Sequence, residues 1–274
     1  MTTGSAAAPT NDPRVAAALA RNDAYLHDFV EAHNLCPWAR YCRETGHLHR
    51  RVVLVAGGLQ ATPAWSAAVA AADAAVLEAE SAPPASLEVG LLIFPALDEA
   101  LSTGAAAAER WTAFCGAVRA ATEARHGKRE PPFFCVPFHP DFPEDLATPA
   151  RAVRFMRRSP DPTLQLVRRS LLREIRGRTP DTLVVDPTKL SDAELQALQV
   201  PESVSDRIAR VDLETVKSLG VEEARLILDA ARRLGRGTSI ELVVPVDSGP
   251  VGPVDLAASG GEPSEGPVPL GHLQ

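Results

Sequence analysis

Three short apolar runs alternate with two long segments of helical periodicity in the first half of the chain. The apolar runs are residues 52–55, 87–94 and 133–136, and the helical segments are residues 62–80 and 105–125. Because mostly continuous apolar runs are typical of strands covered on both faces, this order predicts parallel pairing and right-handed crossovers. The sequence therefore predicts an α/β fold with a mainly parallel sheet of three to four strands and covering helices.

Further helices are predicted on both sides of this alternating region. Asp12 followed by Pro13 is a typical helix start, and Asn34 fits a left-handed cap at the end of that helix, near His33. Later elements are expected in this order: a loop at 138–162, a helix at 161–176, a short strand at 183–185, and a C-terminal helical pair at 203–219 and 221–234.

Charge is distributed unevenly along the chain. The 274 residues have a formal net charge of −7, and five acidic residues but no Lys or Arg follow Arg236. This last segment is rich in Gly, Pro and Ser, a composition that leaves little apolar surface to bury. We predict a disordered N-terminus at 1–11, a single α/β domain at 12–236 and a mostly disordered acidic tail at 237–274. The near-neutral domain argues against a nucleic-acid partner, which requires a basic surface.

Signals for membrane insertion or export are not visible in the sequence. Residues 1–11 have neither a basic residue nor an apolar core, and the longest apolar stretch, 89–97, is too short to cross a bilayer. We expect a cytoplasmic protein without a membrane partner, whose four cysteines are reduced thiols. The sequence carries no information on the oligomeric state.

Common cofactor motifs are also missing. Gly57 and Gly58 lack the spacing of a dinucleotide-binding motif, and neither the phosphate-binding loop nor the serine-hydrolase motif occurs. Two cysteines and two histidines lie near one another in the chain, at Cys36, Cys42, His47 and His49. Because their spacing matches neither half of a common zinc motif, we expect no metal and no cofactor.

Arg168 is a charged residue on a predicted apolar face. On a helix at 161–176 it falls in the stripe formed by Leu164, Leu171 and Ile175. A charge in that position is costly unless it is paired. Arg168 either binds a core carboxylate or chain-end carbonyls, or it reaches through the packed layer to an anionic ligand.

Two arginines and a hydroxyl group precede the same predicted helix. Arg157, Arg158 and Ser159 stand just before Asp161, at a helix start where free N–H groups and the helix dipole favour anions. The alternative is that Asp161 caps the helix and the arginines are solvated.

His139 lies just beyond the third predicted strand. Ligands of open parallel sheets bind past the carboxyl ends of the strands. His139 could transfer protons near neutral pH, with Asp141 orienting its ring. The alternative is a histidine with a purely structural hydrogen bond.

Cys36 follows the first predicted helix in a loop. Its thiol could be a nucleophile if a base lies nearby, or it could be a buried residue that acts as a small hydrophobe. The residues alone favour the second interpretation.

Three stretches together resemble the domain-of-unknown-function family 1415, which is found in bacterial proteins. They are residues 34–39, beginning Asn34-Leu35-Cys36, residues 138–142 around His139, and residues 158–168. The last motif of the family has His and Glu where this chain has Gln165 and Arg169. The resemblance implies no reaction, but it selects Cys36, His139, Arg158 and Arg168 again.

These observations predict a small-molecule enzyme or binder that acts on an anionic, phosphate- or carboxylate-bearing metabolite. Its ligand-binding residues would be Asn34, Arg158, Ser159 and Arg168. His139 and Asp141 would transfer protons, and Cys36 would be a nucleophile or a wall of the pocket. The alternative is a non-catalytic interaction module that contacts a protein partner through its arginines and its C-terminal helical pair.

Overall fold

The computed structural model describes residues 12–36, 38–54, 62–95, 104–177 and 204–236, and these fall within one compact unit. They form eight α-helices, one π-helical segment and four strands. The helices are α1 Pro13–Ala24, α2 Ala39–Glu44, α3 Thr62–Ser81, α4 Ala105–His126, α5 Pro149–Met156, α6 Arg169–Gly177, α7 Val204–Leu219 and α8 Val221–Arg233. The π-helical segment Tyr25–Glu31 continues α1, and the strands are β1 Leu48–Val52, β2 Val89–Ile93, β3 Phe133–Phe138 and β4 Thr163–Arg168.

The four strands form one mixed sheet in the order β1-β2-β4-β3. β1 and β2 are parallel, as the helical crossover between them predicts, but β4 is antiparallel to both β2 and β3. The α/β class, the covering helices and the C-terminal helical pair are confirmed, whereas the mainly parallel sheet is wrong. The sheet is mixed because β4 inserts between the second and third strands.

β4 replaces the first half of the helix that the sequence predicted at 161–176. Asp161, expected to cap that helix, instead accepts two hydrogen bonds from Arg21, at 2.8 and 3.0 Å. The residues that follow pair on both sides, so that Thr163 lies beside both Ile93 and Phe138. Two ladders of backbone hydrogen bonds outweigh the local helix signal, and the helix begins only at Arg169.

Two other predicted boundaries shift for physical reasons. β1 lies at Leu48–Val52 rather than at 52–55, because it is an edge strand whose residues alternate between more and less exposed positions instead of forming one apolar run. The predicted loop at 138–162 contains α5, which starts after Thr148, whose hydroxyl accepts the N–H of Arg151 at 3.4 Å.

Apolar side chains cover both faces of the sheet. Leu92 and Phe94 pack against α3 and α4, where Trp111 stacks on Phe114 with ring centroids 5.4 Å apart. The neighbouring Leu91 points to the opposite face, into a second cluster formed with α1, the π-helical segment, α5, α7 and α8. Successive β2 residues therefore contribute to two separate cores, as the alternation of a strand requires.

Several expectations fall on residues outside the described ranges. They are the strand at 183–185, the N-terminus at 1–11 and the acidic tail at 237–274. Among the helices that the structure describes, none is long and apolar enough to cross a membrane.

Candidate functional site

The predicted proton-transfer pair is built into the turn after β3. His139 is fully buried; its N–H donates to the Arg157 carbonyl at 3.0 Å, and its Nδ1 accepts the N–H of Asp141 at 3.1 Å. The carboxylate of Asp141 does not orient that ring. It accepts instead from the N–H of Gly104 at 2.6 Å and from Arg232 at 3.0 Å. These contacts hold the turn against α4 and α8.

Arg158 and Ser159 are bonded to neighbouring protein groups. Arg158 donates to the Pro140 carbonyl at 2.8 Å and forms an ion pair with Glu144, and the Ser159 hydroxyl donates to the Asp161 carbonyl at 2.6 Å. The cavity beside them has a volume of about 10 Å³, which holds about one water molecule. These two residues therefore leave no room for a metabolite between them.

Arg168 lies at the other end of β4. Its Nε donates to the Leu87 carbonyl at 2.6 Å, and its guanidinium stacks on Phe133 at 4.6 Å from the ring centroid. Because Arg168 pairs with the first residue of β3 whereas His139 follows the last, about 16 Å of strand separates them. Arg168 therefore does not share a cavity with His139. The sequence left open whether Arg168 binds groups of the protein or an anionic ligand. Its geometry fits the first alternative, in which it binds backbone carbonyl groups.

Asn34 positions Cys36 through the backbone. Asn34 is exposed and has a φ of 51°, the left-handed conformation expected from the sequence. This turn buries Leu35, whose N–H donates to the Val30 carbonyl at 2.9 Å, and packs Cys36 against the second apolar cluster. Burial raises the pKa of the Cys36 thiol, although hydrogen bonds from two backbone N–H groups act in the opposite direction. The thiol is therefore protonated at neutral pH.

Arg157 follows the last residue of α5 and was not selected as a ligand-binding residue from the sequence. Its guanidinium lies over the ring of Phe138 at 5.9 Å, and desolvation lowers its pKa. Tyr25 donates its hydroxyl to the Met156 carbonyl at 2.5 Å, and burial raises the pKa of its phenol, while the charge of Arg157 acts in the opposite direction. Within the described ranges, no hydrogen bond or ion pair engages the Arg157 guanidinium.

Asp212 is the second residue that the sequence analysis missed. It lies on α7, is 6% exposed, and has no hydrogen bond or ion pair to any other described residue. Burial raises its pKa to about 7, and its charge in turn raises the pKa of Cys36. Val216 and Leu219, four and seven residues later on the same helical face, pack in the same apolar cluster as Cys36. We call Tyr25, Cys36, Arg157 and Asp212 the Cys36 cluster.

An open cleft of about 440 Å³ lies along α7. It is lined by His33, Val211, Glu214, Thr215, Ser218 and Leu219. Thr215 and Leu219 follow Asp212 by three and seven residues and therefore lie on its side of α7. The cleft thus runs between His33 and the outer side of α7, and none of the four residues of the Cys36 cluster lines it.

A simple pattern could have identified Asp212 from the sequence. Ala209, Leu213 and Val216 form the buried stripe of α7, and Asp212 falls within it, as Arg168 was noticed to fall among leucines. The sequence marked Arg157 only as one of two arginines in a possible anion site, because its partial burial depends on α5, which was predicted to be a loop.

The described residues contain no group of three or more His, Cys, Asp or Glu side chains that could hold a metal ion. Cys42 donates to Glu88 at 3.3 Å, and His47 approaches the other oxygen of the same carboxylate at 3.4 Å. Burial, and then the contact with Glu88, raise the pKa of Cys42 to about 12, so this thiol is protonated.

Comparison with known proteins identifies one family. A sequence model described as a protein of unknown function, DUF1415, matches residues 17–200, which include Cys36, His139, Arg157 and Arg168. No curated protein and no solved structure matches the chain.

Proposed function

The chain belongs to domain-of-unknown-function family 1415, and we propose that it is a small-molecule enzyme or binder whose anionic metabolite is held in the Cys36 cluster by Arg157. The ligand is still expected to carry a phosphate or carboxylate group, as in the sequence analysis. However, we assign its binding to Arg157 instead of Arg158.

The unpartnered guanidinium of Arg157 carries this proposal. Taking a charged group out of water is costly unless an opposite charge or hydrogen bonds compensate. Stacking on Phe138 supplies part of that compensation, but the planar N–H groups keep no acceptor in the described part of the chain. A carboxylate or phosphate could accept two of these N–H groups side by side.

The other arginines of the predicted site already have acceptors. Arg158 is bonded to Pro140 and Glu144, and Arg168 to Leu87. An anion would have to displace these protein acceptors, whereas at Arg157 it would add hydrogen bonds without breaking any. This difference favours Arg157 as the ligand-binding arginine.

The surroundings of Arg157 suit a small polar ligand. Tyr25 and Cys36 are both protonated at neutral pH, because burial raises the pKa of each, so neither adds negative charge that would repel an anion. A cytoplasmic location is part of this proposal, and all four cysteines are free thiols.

The interaction module is the second candidate, and exposed apolar side chains on the C-terminal helical pair favour it. Leu226 on α8 is 61% exposed and Val211 on α7 is 43% exposed. A protein partner bound through these residues would leave the partner of Arg157 unexplained. A metabolite would supply that partner, so we rank the metabolite first.

Thermal melts of the full chain test the proposal. Phosphate and succinate, each compared with chloride at the same ionic strength, should raise the melting temperature of the wild type by about 3 °C or more at saturating concentrations. Arg157→Met should lose this shift, whereas Arg154→Met, an exposed arginine one turn earlier on α5, should keep it. An equal shift in Arg157→Met, or no shift in the wild type with either anion, contradicts the proposal.

A further inference from the structure

We infer that Gln165 is a second ligand-binding residue of the Arg157 site, and that the anionic metabolite carries an uncharged carboxamide group that pairs with its side chain. This inference rests on the proposed function and narrows it to a class of compounds, the acids that also contain a primary amide. The structural basis is a side-chain amide without a partner among the described residues, which the strand register places beside the ring under Arg157.

Gln165 lies in the middle of β4, on the face of the sheet that carries the second apolar cluster. Its paired residue on β2 is Leu91, and its paired residue on β3 is Val136. Directly paired residues of neighbouring strands point to the same face, and Leu91 belongs to the second cluster. Leu91 and Val136 are each only 6% exposed. The register therefore places a polar side chain between two buried apolar ones.

The next neighbours on this face do not bind the amide either. They are Phe134 and Phe138, one residue pair away on β3, and Val167 on β4 itself. In the part of the chain that the structure describes, no group forms a hydrogen bond with the Gln165 side chain. The residue is half-buried, and its amide atoms keep contact with solvent. A molecule that arrives from solvent can therefore reach this amide.

Phe138 connects Gln165 with Arg157. Residues placed diagonally across an antiparallel pair of strands lie about 7 to 8 Å apart, within reach of a long side chain. Gln165 and Phe138 stand in this relation, because Gln165 pairs with Val136, two residues before Phe138. The Arg157 guanidinium lies 5.9 Å from the centroid of the same ring. A ligand with a short carbon chain can thus contact both unpartnered groups.

The chemistry of the amide selects the second group of the ligand. A glutamine side chain offers an acceptor oxygen and two N–H donors, and it carries no charge. A second charged group on the ligand would lose its water among apolar neighbours without gaining an opposite charge. An apolar group would leave the amide of Gln165 without a partner. A carboxamide avoids both costs, because it donates to one atom of the side chain and accepts from the other.

Three acids of nearly equal size test the inference. Succinamate, 4-oxopentanoate and 4-methylpentanoate share a carboxylate and two methylene groups, and they end in a carboxamide, a methyl ketone and an isopropyl group. Calorimetric titration of the full chain at pH 7 measures their affinities. Succinamate should bind most tightly and 4-methylpentanoate least, with about a fivefold difference for each hydrogen bond to Gln165. Equal affinities, or the reverse order, would overturn the inference.

Variants show whether Gln165 causes this preference. Gln165→Met keeps the length of the side chain but removes its hydrogen bonds, so it should bind 4-methylpentanoate at least as tightly as succinamate. Val167→Met adds a methionine on the same face but keeps the amide, and it should preserve the wild-type order. A preference for succinamate that persists in Gln165→Met would exclude Gln165 as its cause.

Arg157→Met separates this inference from the proposed function. It should bind none of the three acids. If the wild type binds all three equally and Arg157→Met binds none, the anion site stands and the amide site is excluded. If the wild type binds none of them, the proposed function fails and the inference fails with it.

The stability of the empty protein provides a readout that needs no ligand. Methionine suits the apolar neighbours of this position, and its introduction breaks no hydrogen bond to a described residue. Gln165→Met should therefore raise the melting temperature, by about 2 °C. A melting temperature several degrees below that of the wild type would reveal a partner of the amide within the protein. That result would remove the reason to expect a ligand at Gln165.

Discussion

Arg168 and Arg157 each stack on a phenylalanine at opposite ends of β3, but Arg168 is buried, Arg157 is half-buried, and their partners differ. Arg168 stacks on Phe133, the first residue of that strand, and Arg157 on Phe138, the last. Desolvation lowers the pKa of both guanidinium groups. However, Arg168 donates to the Leu87 carbonyl, whereas no acceptor in the described ranges binds Arg157.

This comparison shows that the burial of an arginine does not by itself mark a binding residue. What distinguishes a candidate is burial without an internal acceptor. Arg21 extends the comparison, because it is buried and bound to the carboxylate of Asp161. The three arginines thus form a series in which the protein supplies a carboxylate, a carbonyl or no acceptor. The same series predicts how much each side chain contributes to stability.

The largest effect is expected at Arg21. Arg21→Met should lower the free energy of unfolding by about 3 to 5 kcal/mol, because it leaves the buried carboxylate of Asp161 without its main partner. Urea unfolding at pH 7 measures this change. Arg14→Met removes an exposed ion pair with Asp12 and should cost far less, because water screens that pair. Equal losses in the two variants would show that burial of the pair does not matter.

Asp212→Asn should have a pH-dependent effect. Burial raises the folded-state pKa of Asp212 to about 7, above the ordinary value of 3.8, so wild-type stability is lost as pH rises between these values. The asparagine variant should therefore gain stability relative to wild type across this window, by on the order of 3 kcal/mol at pH 8. Unfolding curves at pH 4, 6 and 8 measure the difference. Parallel stability profiles for the two proteins would mean that Asp212 is ionised normally.

Arg168→Met should have a smaller effect, of about 2 kcal/mol, independent of added anions. The substitution leaves the Leu87 carbonyl without this donor and removes the stack on Phe133. Urea unfolding with and without phosphate tests both parts. A variant as stable as wild type, or one whose anion response disappears, would mean that Arg168 binds a ligand instead.

Arg157→Met should have the smallest effect on the empty protein, within about 1 kcal/mol of wild type or slightly more stable. The substitution removes a desolvated charge that has no acceptor in the described part of the chain, at the cost of its stack on Phe138. The same urea titration measures it. A loss similar to that of Arg21→Met would reveal an internal partner and remove the reason to expect a ligand there.

Local patterns predicted most of the helices, the parallel pairing of β1 with β2 and the burial of Arg168, but not the position of β4. Leu164 and Arg168 are four residues apart, so a helix and a strand both place them on the same side. The burial of Arg168 was therefore predicted correctly, although the element was predicted to be a helix and is a strand. The antiparallel position of β4 depends on partners such as Ile93, far away in the sequence. The contact between Asp161 and Arg21, 140 residues apart, could not be inferred from a local cap signal either.

The candidate site was also predictable only where local sequence patterns mark it. Cys36 was selected by its motif, and the run that contains Arg157 was noticed as a possible anion site. Which arginine of that run has no partner depends on side-chain contacts such as that of Arg158 with Glu144. These contacts arise only when the turn after β3, α5 and α8 come together, so residue type and spacing alone do not distinguish neighbouring arginines.

A crystal structure of the full chain grown with butyrate tests the central claim most directly. The account predicts a carboxylate within hydrogen-bonding distance of the Arg157 guanidinium, and Arg168 still bonded to the Leu87 carbonyl. A structure in which Arg157 is paired with a carboxylate of the protein, or in which butyrate occupies another site and leaves Arg157 unchanged, would contradict it.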